Sequence, residues 1–243
     1  MRKFVISLCT TATVVAAVPA AAQSFEFEDD RPSERETRPS RTFGGLQLFV
    51  GQPMGDFERN VGTTIGVGGH LIHHLGGVLA VRLDAGYLLY GRETKHIAFP
   101  PPVGGRVSAE LHTNNNYAFF GVGPQLMAPA GRLRLYLNGS VGVKYLATNS
   151  YLDGDDDDNS VFNTTNWDDV SLSWGGGGGL YIGLRQGMKP ISLDVGARYV
   201  GGDETSYLVE GGITDNPDGS ITVHPMRGRT DVLVYHLGIN IGF

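Results

Sequence analysis

Cysteine is almost absent from this chain: of 243 residues only Cys9 carries a thiol. It sits in an apolar amino-terminal run, so the rest of the chain has no means of forming an internal disulfide, a thiolate metal site or a cysteine nucleophile. A long apolar run is also missing beyond the amino terminus. Spanning hydrocarbon with a helix takes about 20 apolar residues, which excludes a helical membrane protein. An excess of positive charge is lacking too. The formal net charge is −6, which disfavours nucleic acid as a partner.

The chain opens with the basic Met1-Arg2-Lys3, an apolar run from Phe4 to Val18, and Pro19-Ala20-Ala21-Ala22-Gln23. That order is a secretory signal peptide, residues 1–22, with cleavage expected after Ala22. Lipid attachment at Cys9 is disfavoured because Leu8 stands where a small residue is required. Residues 23–41 include SFEFEDDRPSERETRPSR, with only Phe25 and Phe27 as large apolar groups. So little apolar surface does not offset ordering entropy, and a disordered periplasmic lead is expected, either a plain linker or a binding tail.

From Thr42 to Phe243 the sequence alternates with period two in eight runs, near 44–51, 63–71, 78–90, 117–127, 133–147, 170–185, 191–199 and 232–243. The last is the most regular: Leu233, Tyr235, Leu237, Ile239, Ile241 and Phe243 alternate with Val234, His236, Gly238, Asn240 and Gly242. Tight turns are expected at 73–77, 129–132 and 186–189. Longer connections fall at 52–60, 91–116, 148–169 and 202–229. Strict alternation of short and long connections is the rhythm of an even-numbered antiparallel membrane barrel with short periplasmic turns and long outer loops.

One face of these runs holds no charge in its middle and places Tyr87, Tyr145, Trp174, Tyr199 and Tyr235 near the long-loop end, with Phe243 at the other rim. Such rings form the aromatic girdle expected where hydrocarbon meets headgroups. The opposite face collects Arg82, Asp84, Arg134, Lys144, Arg185, Asp194, Arg198 and His236. A soluble barrel would invert this arrangement. The fold class expected is therefore all-β, an eight-stranded antiparallel up-and-down transmembrane β-barrel.

These features resemble the small bacterial outer-membrane β-barrel proteins, the family of the OmpA transmembrane domain and OmpX. The resemblance covers Thr42 to Phe243. It implies location in the outer membrane of a Gram-negative-type bacterium, with outer-membrane lipid as partner. It also implies that the barrel-assembly machinery reads the closing motif Tyr235, Leu237, Ile239, Ile241 and Phe243. No peptidoglycan-binding domain is expected after the last strand.

Within an eight-stranded barrel the lumen has room for side chains and little else. Strands three and seven lie across from each other, so Arg82 and Asp84 are expected to meet Asp194 and Arg198, in a polar cluster with Arg134 and His236. Either this is a paired charge core that plugs the pore, or it gates a narrow channel. Asp153, Asp155 and Asp157 open like a calcium loop, but Asp158 stands where the tight-turn Gly belongs and Thr164 where a bidentate Glu would close it. A divalent cation there competes with a solvated acidic loop. His70, His73 and His74 cluster without an adjacent acid, a weak metal pattern. The Gly175 to Gly179 run has no following Lys-Ser or Lys-Thr, so relief of crowding explains it better than a phosphate loop.

Catalysis would require a nucleophile within hydrogen-bond reach of its base. His236 has Ser171 and Ser173 only on another strand, so no enzyme and no cofactor is expected. A structural or surface-interaction role through the long loops is the leading expectation. The alternatives are a narrow porin-like channel and a lipid-modifying hydrolase. A soluble carrier would need an apolar interior.

Overall fold

The computed structural model describes residues 40–98, 108–128, 131–154, 157–187, 189–216 and 220–243. The signal peptide and residues 23–39 of the lead lie outside the described residues. The described chain contains strands and turns and no helix. In chain order the strands are β1 Thr42–Pro53, β2 Thr64–Gly76, β3 Leu79–Ala98, β4 Ser108–Met127, β5 Leu133–Gly154, β6 Asp157–Arg185 and β7 Ile191–Gly202. Four short strands follow, β8 Glu204–Tyr207, β9 Ile213–Asp215, β10 Ile221–Val223 and β11 Met226–Arg229, and β12 Val232–Gly242 ends the series.

Eight of these form one closed barrel in the ring order β1, β12, β7, β6, β5, β4, β3, β2. Every neighbouring pair is antiparallel. Closure comes from β1 against β12, in register from Phe43 opposite Gly242 to Pro53 opposite Val232. The eight expected runs and their connectivity are thus present. At the short-turn end, Gly77 and Gly131 take left-handed φ of 57° and 49°, a conformation in which a Cβ would be strained.

Two connections are not the loose loops expected from sequence. Residues 91–116 and 148–169 are mostly strand: β3 and β4 stay paired out to Ala98 and Ser108, and β5 and β6 out to Gly154 and Asp157. Their polar composition hid this. Away from lipid both faces of a strand meet water, so apolar alternation stops while the backbone ladder continues through Thr, Asn, Tyr and His. Cross-strand side chains bind this four-stranded wall together. Arg92 Nη2 donates to Tyr151 OH at 3.1 Å, the Tyr151 and His112 rings stack at 4.9 Å, and Thr113 Oγ1 lies 2.8 Å from Ser150 Oγ. The described residues of the 202–229 connection also pair as strands, β8 with β11 and β9 with β10.

Alternation sorts the side chains cleanly along β12: Tyr235, Leu237, Ile239 and Ile241 are exposed, whereas Val234, His236, Gly238 and Asn240 are buried. The exterior is a continuous apolar belt in which Leu46 is 79% exposed, Leu137 68% and Leu172 65%. So much exposed aliphatic surface is unsuited to water and suited to hydrocarbon. Arginine in place of Leu237, at the middle of this belt, is expected to lower the stability of the vesicle-inserted barrel by about 2–4 kcal/mol, read from denaturant unfolding in phospholipid vesicles.

Candidate functional site

The inward side chains fill the barrel in layers. Toward the long-loop end lies an apolar layer of Phe49, Leu88, Tyr90, Tyr117, Phe119, Leu146, Val200, Val232 and Val234. Its centre comes from outside the barrel wall. Phe57, in the connection between β1 and β2, is fully buried, with its ring 5.4 Å from that of Tyr90 and 5.1 Å from that of Tyr207 in β8. Two connections therefore fold inward over the mouth, and Tyr90 OH fastens the second by donating to Leu208 O at 3.1 Å. Sequence reasoning missed Phe57. The signal available was one large aromatic, with Val61 four residues on, in a connection rich in charged residues.

Below this plug the lumen turns polar and holds two charge centres. The first is Asp84, whose Oδ1 accepts from Arg82 Nε at 2.8 Å and, from across the barrel, Arg198 Nη2 at 2.7 Å. Arg82 Nη1 donates to Gln125 Oε1 at 3.1 Å and Tyr181 OH at 2.9 Å. The second is Asp194, which accepts from Gln47 Nε2 at 2.7 Å and from Tyr136 OH at 2.8 Å. Because the tyrosine proton goes to the carboxylate, His236 Nε2, 2.8 Å from the same hydroxyl, is the donor in that contact. His70 Nδ1 stands 3.9 Å from Asp194 Oδ2. Both guanidiniums bind at Asp84 and Asp194 is held by neutral donors, so the charges of two carboxylates and two guanidiniums cancel only when the two centres are taken together.

Of the expected lumen cluster, Arg82, Asp84 and Arg198 meet directly, and Asp194 and His236 form the neighbouring centre. The expected contact of Asp194 with the Arg82 group is replaced by neutral donors from β1 and β5. Arg134 is a correction. It shares the inward parity of β5 but sits half-buried at the short-turn mouth, where it lines a separate cavity, because it lies one inward position before Tyr136 and so below the mid-height layer. Lys144 is fully buried nearer the outer mouth, and its Nζ has no hydrogen-bond partner.

The glycine run is explained by what faces it. A Cβ on Gly177 would lie 3.0 Å from Arg198 Cα and Cβ, and one on Gly179 2.6 Å from Tyr136 OH. Gly45 makes the same room for His70, with a Cβ 2.4 Å from Cε1. Small residues on one strand thus receive the large polar ones of its neighbours.

Outside, Tyr87, Tyr145, Trp174 and Tyr235 are exposed and Tyr199 is half-exposed, with Trp174 and Tyr199 rings 5.7 Å apart. Tyr199 OH donates to Asp231 Oδ2 at 2.7 Å, tying the girdle to the loop end. Phe243 is 65% exposed at the opposite rim. In the acidic loop, Asp155 lies outside the described residues, as do the side chains of Asp153 and Asp157. The three histidines do not converge. His70 faces the lumen, His73 is exposed beside Thr42, and His74 packs its ring 5.3 Å from Phe43 at the mouth.

No family model and no curated protein matches the chain. Solved structures do resemble it. Neisserial surface protein A is 10% identical over 84% of this chain and 98% of its own, with a TM-score of 0.45. Ail, the attachment invasion locus protein of Yersinia pestis, is 11% identical over 85% and 100%, with a TM-score of 0.42. A major outer membrane protein of Thermus thermophilus is 12% identical over 83% and 99%, with a TM-score of 0.46.

Removing one partner of a buried ion pair costs about 3–5 kcal/mol, whereas an exposed pair contributes about 0–1 kcal/mol. Asp84→Ala is therefore expected to destabilise the refolded barrel severely, and Glu204→Ala, which breaks an exposed contact to Arg227, to leave it within about 1 kcal/mol. Equilibrium unfolding of both variants measures the contrast.

Proposed function

We propose that this chain is an outer-membrane β-barrel protein of a Gram-negative-type bacterium, exported by its amino-terminal signal, with a structural and surface-interaction role rather than a transport or catalytic one. The observation that carries the reading is the contrast between the two ends of the barrel axis. The lumen is filled at two levels, by the Phe57 plug and by the Asp84 and Asp194 centres, while the wall of β3 to β6 projects beyond it with an ordered polar surface.

A filled lumen leaves a porin no path, and this counts against the channel alternative. The hydrolase alternative lacks a nucleophile among the described residues around its base: the polar neighbours of His236 are Tyr136 and Asp194, and Ser171 is engaged with Thr205 at 2.6 Å. The apolar belt supports a lipid surround, and the regular β12 supports recognition of the closing motif by the assembly machinery. The contact surface for other molecules is the projecting wall together with β8 to β11.

Planar-bilayer recording of the refolded protein is expected to be silent. Phe57→Ala is expected to speed proteolysis of the β8–β11 connection without opening a conductance, since the charge centres below remain. Steady wild-type openings would reject the sealed reading.

A further inference from the structure

At the short-turn end the barrel is not filled. A cavity of about 400 Å³ opens there, lined by Phe43, His74, Met127, Arg134, Arg185 and Ile191 together with residues of the turns and strand ends. Its composition is asymmetric. Two guanidiniums and an imidazole line it, and among the described residues no Asp or Glu does. The two arginines reach it by different routes. Arg134 shares the inward face of Tyr136 on β5, whereas Arg185 follows the register shift after Gly183, where β6 leaves regular pairing with β7. Neither has an acidic partner among the described residues. The contrast with mid-height is sharp, where both guanidiniums are tied to Asp84. Arg132 and Lys189 in the short turns, and Arg41 just before β1, are cations as well.

We propose that this cavity is a phosphate-binding site in which Arg134 and Arg185 grip the oxygens of a phosphate group and His74 contributes a third contact. Guanidinium forks match the non-bridging oxygens of a phosphate in geometry and charge, and the imidazole on the same cavity wall offers a further donor. The apolar share of the lining, Phe43, Met127 and Ile191, accepts a small hydrocarbon body attached to that group, such as the carbon chain of a phosphate ester. Two sources present this chemistry at the periplasm-facing mouth: a soluble phosphate ester and an anionic phospholipid headgroup reaching over the rim. The site rests on the cavity and the charge of its lining, and is tested in detergent independently of the membrane reading.

The experiment is an equilibrium titration of inorganic phosphate into refolded protein in neutral detergent, with chloride holding ionic strength constant. Saturable binding is expected, weakened at least about tenfold in the Arg134→Gln/Arg185→Gln double variant. Folding of that variant is checked by its heat-dependent shift in gel mobility. Should it not fold, Arg185→Lys serves instead, since it keeps the charge and loses the fork, and a loss of about threefold or more is expected. The titration is repeated in nanodiscs of phosphatidylcholine alone and of phosphatidylcholine with phosphatidylglycerol. Weaker phosphate binding in the second disc supports the site with a lipid source, and equal binding supports it with a soluble one. Binding no different from chloride, or unaltered by either substitution, overturns the proposal.

Discussion

The pairing of β1 with β12 is the constraint on which everything else depends. A sheet whose exterior is aliphatic cannot leave an edge, because hydrocarbon supplies no partner for a free N–H or C=O, and each such group costs several kcal/mol. Eleven residue pairs from Phe43–Gly242 to Pro53–Val232 remove that edge. Once the ring is closed with eight strands its bore is fixed, and the bore is only wide enough for side chains. The interior then becomes a packing problem of fixed volume, solved by layers whose large residues stand opposite glycines. Tyr136 beside Gly179 and Arg198 beside Gly177 are two such solutions.

Polarity follows from the same geometry. Each strand buries one face against the lumen and turns the other to lipid, so the charges have only one place to go. They are held there at Asp84 and Asp194, where hydrogen bonds from several strands converge on each carboxylate. These contacts also staple the wall across its diameter, since Asp84 on β3 and Arg198 on β7 belong to strands four places apart in the ring.

Much of this was legible in the sequence, for a physical reason. Period-two alternation over the membrane-spanning part states which face each residue occupies, and short versus long connections state which end is which. Arg82, Asp84 and Arg198 could be placed opposite one another from topology alone. What sequence did not reveal lies where alternation loses its meaning. Above the belt both faces are wet, so the strands of the projecting wall read as loops. Phe57 enters the lumen from a turn, and no periodicity announces a residue that arrives from the side. Arg134 shares its parity with the lumen cluster but not its height, and parity says nothing about height.

The ordered wall sets the distance at which this molecule meets its surroundings. From the girdle near Tyr90 to Ala98, β3 rises about 3.4 Å per residue, which with a strand tilt near 45° lifts the tip by roughly 20 Å. Mobile ions screen fixed charge over about 8 Å at physiological ionic strength, so the tip stands more than about two screening lengths above the girdle. An approaching body would sense the tip's own pattern of charge, with little contribution from charges at the level of the girdle.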